Sequence, residues 1–248
     1  MHLFTLVLVP SETEDVLGEV SRLLRPYGER MEEVPCPCQT SSQSVPCDRC
    51  NGSGALIMNT NFENTKWDWW MVGWQFDGWV RNEPPERSKR FSRHFDDSAK
   101  EPETRDDGTV VVELRDPEAY WAGFRRIYND MIAANVMRVR ELPADLSCFA
   151  VVTPDGQWHD SGDWTASPGP AVLEQWNAKR RALLAEHADC LAVGCDLHYL
   201  PSCLCWPATE EGEAMAGRTS VAVLSDVLWT PEVRQRGAVG LPSAWPAV

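Results

Sequence analysis

The sequence lacks the motifs of the common enzyme classes. It contains no Walker A loop, no GxGxxG dinucleotide fingerprint, no HExxH zinc-protease motif, no GxSxG nucleophile elbow and no protein-kinase signature. Each of these motifs acts through a fixed spacing of residues around a phosphate, a metal ion or a nucleophile. Their absence argues against those classes, and the chain also contains no internal repeat.

Basic residues are scarce. The chain has 23 Lys and Arg against 37 Asp and Glu, which gives a formal net charge of -14. Such a charge argues against broad electrostatic binding to a nucleic-acid backbone, although a local basic pocket remains compatible with it. It also permits the opposite role, in which an acidic surface binds a basic face of another protein.

Long apolar runs are also missing. The run that begins at His2 ends at Pro10, has no basic segment before it and is followed at once by acidic residues. It is too short for a signal peptide or a membrane span. We therefore expect a cytoplasmic protein that does not associate with membranes and keeps its cysteines reduced.

Cysteine, in contrast, is concentrated in one segment. A CxC pair is followed by a CxxC pair, and the four residues are Cys36, Cys38, Cys47 and Cys50. Zn²⁺ prefers four soft ligands in a tetrahedron, and two short pairs on tight turns supply them without a large fold. The sequence predicts a structural zinc site in an insert over residues 35–55, and two disulfides are the alternative.

Two further observations bear on metal binding. The stretch CDRCNGSG (residues 47–54) resembles one CxxCxGxG unit of the zinc domain in DnaJ-type chaperones. The first half of the cluster departs from that repeat, so the resemblance implies metal chemistry only. A second, looser set of potential zinc ligands consists of Cys195, His198, Cys203 and Cys205. The alternative there is a buried strand cysteine beside a structural histidine.

The chain has twelve tryptophans, and many of them fall in residues 66–79. Asp68 lies among indoles, and an apolar environment raises the pKa of a carboxyl group, which favours acid–base work. Trp67 and Trp70, with Lys66 and Gln75, form a candidate ligand-binding set, because indole stacks on bases. A tryptophan-rich core with Asp68 as a satisfied turn residue is the alternative.

Histidines supply the other candidate catalytic groups. His159 follows the tight turn 154–156, a position near the surface that suits a general base, and a histidine without a role there is the alternative. Asp196 and His198 are two residues apart on a predicted strand and therefore face the same side. We predict that Asp196 orients His198.

Four segments resemble an uncharacterised protein family found in bacteriophages and actinobacteria. They are LLRPYGE (23–29), KWDWW (66–70), TPDGQWH (153–159) and DLHY (196–199). The resemblance covers most of the chain up to about Leu200 and implies a phage or mobile-element origin, but no activity. Where the family has Gly-Gly-Arg-Trp, this chain has Gly73–Phe76, so Gln75 replaces an arginine that could hold a phosphate or carboxylate.

Strand and helix patterns interleave irregularly along the chain. This order predicts an α+β fold, with a mostly antiparallel sheet, packed helices and a small zinc-binding insert that carries four cysteines. We expect residues 1–229 to form one domain, residues 81–108 to be a charged loop without periodicity, and 230–248 to be a tail.

Two functional hypotheses remain. In the first, Asp68, His159, Asp196 and His198 form a site that binds or processes a nucleotide or nucleic-acid fragment. In the second, the protein is a non-enzymatic acidic interaction protein, for example a counter-defence inhibitor of a host protein. The sequence leaves open whether the protein is an enzyme.

Overall fold

A computed structural model describes the part of the chain that carries the fold. The described residues are 1–40, 47, 49–50, 52–100, 103–104, 110–111, 114–162 and 169–199. The predicted C-terminal tail 230–248 and the potential ligands Cys203 and Cys205 lie outside them.

The described residues form ten strands and four α-helices. In chain order they are β1 (His2–Val9), α1 (Val16–Leu24), β2 (Met31–Pro35), β3 (Ala55–Asn59), β4 (Trp69–Val72), α2 (Glu86–Ser98), β5 (Glu103–Thr104), β6 (Val110–Val111), α3 (Pro117–Ala134), β7 (Val136–Arg138), β8 (Ala150–Val152), β9 (Trp158–Asp160), α4 (Pro170–Glu186) and β10 (Leu191–His198). None of the helices described is both long and apolar enough to cross a membrane.

A six-stranded sheet is the centre of the fold. Its strand order is β4-β10-β1-β8-β9, and β7 also pairs with β10. Only the β1–β8 ladder is parallel; the other ladders of this sheet are antiparallel. The prediction of an α+β fold with a mostly antiparallel sheet is confirmed.

The apolar side chains of the central strands alternate between two faces of this sheet. On one face, Leu3 and Val7 pack with residues of α1, α2 and α3. On the other face, Leu6 and Leu8 pack with Trp176 of α4. Burial on both faces explains why β1 is a nearly continuous apolar run.

The longest helix, α3, begins with the sequence features of a helix start. The side chain of Asp116 accepts a hydrogen bond from the Ala119 N–H at 3.0 Å, and Pro117 occupies the first turn. An aspartate cap and an early proline are both typical of helix starts. The buried side of α3 includes Tyr120 and Phe124, at helical spacing.

The prediction of a loop over residues 81–108 is wrong for its central part. Residues Glu86–Ser98 form helix α2. Its charged side chains obscure a short apolar stripe in which Phe91 packs edge-to-face on Phe124, with ring centroids 4.5 Å apart. Contact with α3 therefore stabilises a helix whose own sequence is strongly polar.

The hairpin of β2 and β3 is a separate two-stranded sheet that carries the cysteine cluster. Asn61 anchors its base, because its side-chain amide donates to the carbonyls of Pro26 and Gly28 at 2.9 and 2.8 Å. The insert is thus attached to the main body by specific polar contacts.

Candidate functional site

The four cysteines of the insert converge on one point. Their sulfur atoms all lie within 4.8 Å of one another. The separation is 3.8 Å between Cys36 and Cys47 and 3.4 Å between Cys38 and Cys50. These distances exceed a disulfide bond of about 2.05 Å, and they lie close to the spacing of about 3.8 Å that a tetrahedral Zn–S length of about 2.3 Å requires. The Cys cluster could hold a metal ion.

The surroundings of the cluster shift the pKa values of its thiols in opposite directions. Burial alone would raise the pKa of Cys50, but hydrogen bonds from the backbone at Gly54 and Gly52 and from neighbouring thiols lower it to about 7. Hydrogen bonds to Cys36 and Cys50 raise the pKa of Cys38 to about 12. A cation that binds the four sulfur atoms displaces their protons, because cysteine binds metal as the thiolate.

A second cluster lies at one end of the six-stranded sheet. The antiparallel register places His2 of β1 opposite His198 of β10, and His198 opposite Trp69 of β4. Residues directly opposite each other in such a ladder project from the same face. Three ring side chains from three strands therefore meet at this edge, and Asp68 and Asp196 join them; we call these five residues the histidine cluster.

His2 is paired with the fully buried Asp196. With the carboxylate ionised and accepting, Nδ1–H of His2 donates to its two oxygens at 2.9 and 3.0 Å. The backbone N–H of Gln75 donates to Oδ2 of the same carboxylate at 3.2 Å. Burial raises the pKa of Asp196, and the hydrogen bond from His2 opposes that effect.

A strained turn delivers the Gln75 N–H to this carboxylate. Gly73 has φ 76°, and Trp74 has φ 46°, which is uncommon for a residue with a side chain. Such strain persists where surrounding contacts fix it, and it is concentrated at functional sites. Here the turn after β4 is folded back so that its backbone meets Asp196.

His198 is paired with Asp68 in the same way. Its Nδ1 lies 2.8 and 3.1 Å from the two carboxylate oxygens of Asp68. The Asp68 carboxylate also accepts from the Trp69 N–H at 3.0 Å, and the Asp68 N–H donates to the His198 carbonyl at 3.0 Å. The carboxylate is thus fixed beside the imidazole by backbone contacts on both strands.

The rings of the histidine cluster are in contact. Trp69 stacks on His198 with centroids 5.2 Å apart and an interplanar angle of 12°. His2 meets both rings edge-on, at 5.0 Å from His198 and 5.6 Å from Trp69. The side chains of His2 and His198 are 25% and 17% exposed, so solvent reaches both.

The chemistry of this arrangement follows from the hydrogen bonds. An ionised carboxylate only accepts, so it fixes the proton of each imidazole on Nδ1. Each Nε2 then remains as the nitrogen that can accept or deliver a proton, and neither makes a hydrogen bond within the part of the chain that the structure describes. Two oriented imidazoles in contact can act as an acid–base pair.

The structure brings together three of the four predicted catalytic residues, but in different pairs. Asp68, Asp196 and His198 all belong to the histidine cluster. We predicted that Asp196 orients His198, but the Asp196 carboxylate is hydrogen-bonded to His2 instead. Asp68 is the carboxylate that orients His198. Sequence reasoning missed His2, because only the β1–β10 register places it beside His198.

His159 lies elsewhere. It belongs to β9, at the opposite edge of the sheet from β4, and is paired with Val151. Burial, followed by the positive charge of Lys179 on α4, lowers the pKa of His159. The prediction that His159 shares a site with His198 is therefore not supported by their positions.

The predicted ligand-binding residues are not gathered around the histidine cluster. Trp67 is 7% exposed, and its Nε1–H donates to the Leu24 carbonyl at 3.2 Å. Trp70 packs on the face of the sheet that α1, α2 and α3 cover.

Lys66 is half-buried, and its backbone N–H donates to the Tyr27 carbonyl at 2.7 Å. The backbone N–H of Gln75 donates to the Asp196 carboxylate, and the residue is exposed. Trp69, which we did not single out, is the stacked indole.

The second set of potential zinc ligands does not converge where it is described. Cys195 and His198 are three residues apart on β10, so their side chains project from opposite faces. Cys195 is fully buried among apolar residues, which raises its pKa, and His198 is engaged by Asp68. The two residues therefore cannot bind one ion while β10 is intact.

No protein-family model, no characterised protein and no solved structure matches this chain. Its function is therefore argued from the two clusters themselves.

Proposed function

We propose that this protein binds and processes a nucleotide or a nucleic-acid fragment at the histidine cluster. The observation that carries the proposal is the contact of two carboxylate-oriented imidazoles with each other and with one indole. In this proposal His2 and His198 exchange protons with the ligand, and Asp196 and Asp68 position them.

Trp69 supplies the affinity for a base. It is half-buried and lies on β4, an edge strand of the sheet. One face of its ring is stacked on His198, which holds the indole in place. A rigid, partly exposed indole binds the flat face of a base, and such stacking contributes about 1–3 kcal/mol per base.

We further propose that the metal of the Cys cluster is zinc and that its role is structural. Four cysteine ligands with no water position are typical of structural zinc sites. A cytoplasmic location would keep these thiols reduced and available. The resemblance to phage and actinobacterial proteins supports a mobile-element origin for such a protein.

The binding proposal is tested by titrating the protein with ribo- and deoxyribonucleotides and with dinucleotides, using calorimetry. We expect saturable binding that Trp69→Leu weakens roughly 5- to 150-fold, the range that corresponds to about 1–3 kcal/mol. Trp121→Leu is the matched control, since Trp121 is half-buried on α3, on the other side of the sheet. Equal affinities in the two variants, or no binding at all, would contradict the proposal.

A second candidate function has its own observation. Met31 and Ile57 lie on one face of the β2–β3 hairpin and are 42% and 62% exposed, and Glu33, opposite Ile57, lies on the same face. Met58, on the other face, and Phe62, in the following turn, are 44% and 59% exposed. Exposed large apolar side chains beside carboxylates suit a protein-binding surface, so a basic and apolar face of a host protein is the partner we propose for an interaction protein. Ile57→Ser would then weaken the complex and leave nucleotide binding unchanged.

A further inference from the structure

We propose that the histidine cluster cleaves small ribose phosphodiesters by in-line transfer, with His2 as the general base and His198 as the general acid. This inference rests on the proposed nucleotide site and adds the reaction, the substrate class and the role of each imidazole. It follows from the contacts of the two rings and from the charge of the chain.

The two imidazoles match the proton transfers that this reaction needs. The base takes the proton of the ribose 2′-hydroxyl, whose oxygen then attacks the adjacent phosphorus. The bond between phosphorus and the 5′-oxygen breaks, and the acid delivers its proton to that oxygen. The products are a 2′,3′-cyclic phosphate and a 5′-hydroxyl, and no other reactant is required.

Because the ribose 2′-hydroxyl is itself the nucleophile, one general acid and one general base are sufficient for the cleavage. A ribose phosphodiester carries its own nucleophile beside the phosphorus, so the enzyme needs to orient the substrate and move two protons. The ring centroids of His2 and His198 are 5.0 Å apart on paired strands, and the proposal places one phosphate where both imidazoles reach it. A deoxyribose phosphodiester binds in the same way but lacks the nucleophile.

The neighbours of each ring assign the two roles. The indole of Trp69 lies flat on His198 at 5.2 Å, and the face of an aromatic ring attracts a cation. His2 meets that indole only at an angle of 74°. On this contact geometry we assign the general acid, which must carry a positive charge before the transfer, to His198 and the general base to His2.

The charge of the chain limits the size of the substrate. A net charge of -14 opposes a long polyanion, because each additional phosphate adds repulsion. A small ligand, with one base on Trp69 and one phosphate at the imidazoles, is repelled much less than a long polyanion. The substrate class is therefore a ribodinucleotide, which carries the free 2′-hydroxyl that the reaction needs.

The experiment compares a ribodinucleoside monophosphate with its 2′-deoxy analogue and identifies products by mass spectrometry. We expect the ribose substrate to give a cyclic phosphate and the deoxy analogue to remain intact. His2→Asn and His198→Asn should each lower the rate about 10²- to 10⁴-fold, because the Asn amide can still donate to the carboxylate but has no Nε2. His187→Asn, at the end of α4, is the control and should act as the wild type.

A second substrate separates the two roles. Uridine 3′-(4-nitrophenyl phosphate) has a leaving group that departs without a proton. His198→Asn should therefore recover most of its activity on this substrate, whereas His2→Asn should stay inactive. Recovery by His2→Asn instead would overturn the assignment of roles.

The outcomes also separate this inference from the binding proposal. If the deoxy analogue binds in a manner that depends on Trp69 but the ribose substrate is not cleaved, the nucleotide site stands and the reaction is wrong. If neither dinucleotide binds, both proposals fail. Cleavage at wild-type rates by both histidine variants would show that a contaminating nuclease is responsible.

Discussion

Asp77 and Asp196 are both fully buried, and each is satisfied by a cationic or imidazole side chain together with backbone N–H groups. Asp196 serves His2 at the histidine cluster. Asp77 lies beyond the strained turn and accepts from the N–H and the side chain of Arg87, the Ser88 N–H and the Asn135 amide. Two buried carboxylates therefore hold the segment 73–77 that follows β4: Asp196 binds the Gln75 N–H, and Asp77 binds α2 and Asn135.

Replacement of Asp77 should therefore be costly. Asp77→Ala leaves the Arg87 guanidinium and the buried Asn135 amide without their shared acceptor, so we expect unfolding free energy to fall by about 3–5 kcal/mol. Glu83→Ala removes an exposed partner of the same guanidinium, at 3.2 Å, and should cost at most about 1 kcal/mol. Urea denaturation measures both, and equal losses would contradict this account of Arg87.

At the scale of elements, α2 and the β2–β3 hairpin show how contacts outside an element decide its state. Helix α2 is strongly polar and is formed because Phe91 reaches α3. The hairpin has two short strands and little apolar burial of its own. Two-stranded sheets of this kind are marginally stable in isolation, so we expect metal binding at the Cys cluster to stabilise this one.

Metal removal should therefore loosen the hairpin selectively. After treatment with a zinc chelator, we expect amide exchange in residues 31–35 and 55–59 to become fast, while β1 and β10 stay protected. Cys47→Ser with Cys50→Ser should reproduce this pattern, since the pair supplies two of the four ligands. Unchanged protection of the hairpin, or loss of protection in the whole sheet, would contradict the role assigned to the metal.

At the scale of the whole molecule, the excess of acidic side chains acts against compactness. The net charge of -14 produces self-repulsion, and the exposed ion pairs, such as Arg22 with Glu19, offset little of it. Salt shortens the range of this repulsion, since the Debye length falls from about 30 Å at 0.01 M to about 8 Å at 0.15 M.

We therefore expect the melting temperature to rise by about 2–4 °C between 10 mM and 150 mM NaCl, which for this chain length corresponds to about 1 kcal/mol. Scanning calorimetry at neutral pH with the metal-loaded protein measures the change. A lower melting temperature in the higher salt would mean that attractive ion pairs outweigh the repulsion.

The sequence by itself determined the features that depend on neighbours along the chain. The apolar run of β1, the aspartate and proline that begin α3, and the two short cysteine pairs are local patterns, and the structure confirms the elements and the convergence of the thiols. The α+β class follows from the order of such patterns, because each amphipathic element has few ways to bury its apolar face.

Only the tertiary structure decided the composition of the histidine cluster. His2 and His198 are separated by almost the whole described chain, and the register between β1 and β10 makes them neighbours. The fold of the turn at Trp74 brings a backbone N–H to Asp196, and the pairing of β4 with β10 selects Trp69 rather than Trp67 or Trp70 as the stacked indole. A shift of one residue in either ladder would point these side chains to the opposite face, so long-range pairing, which no local pattern encodes, forms the site.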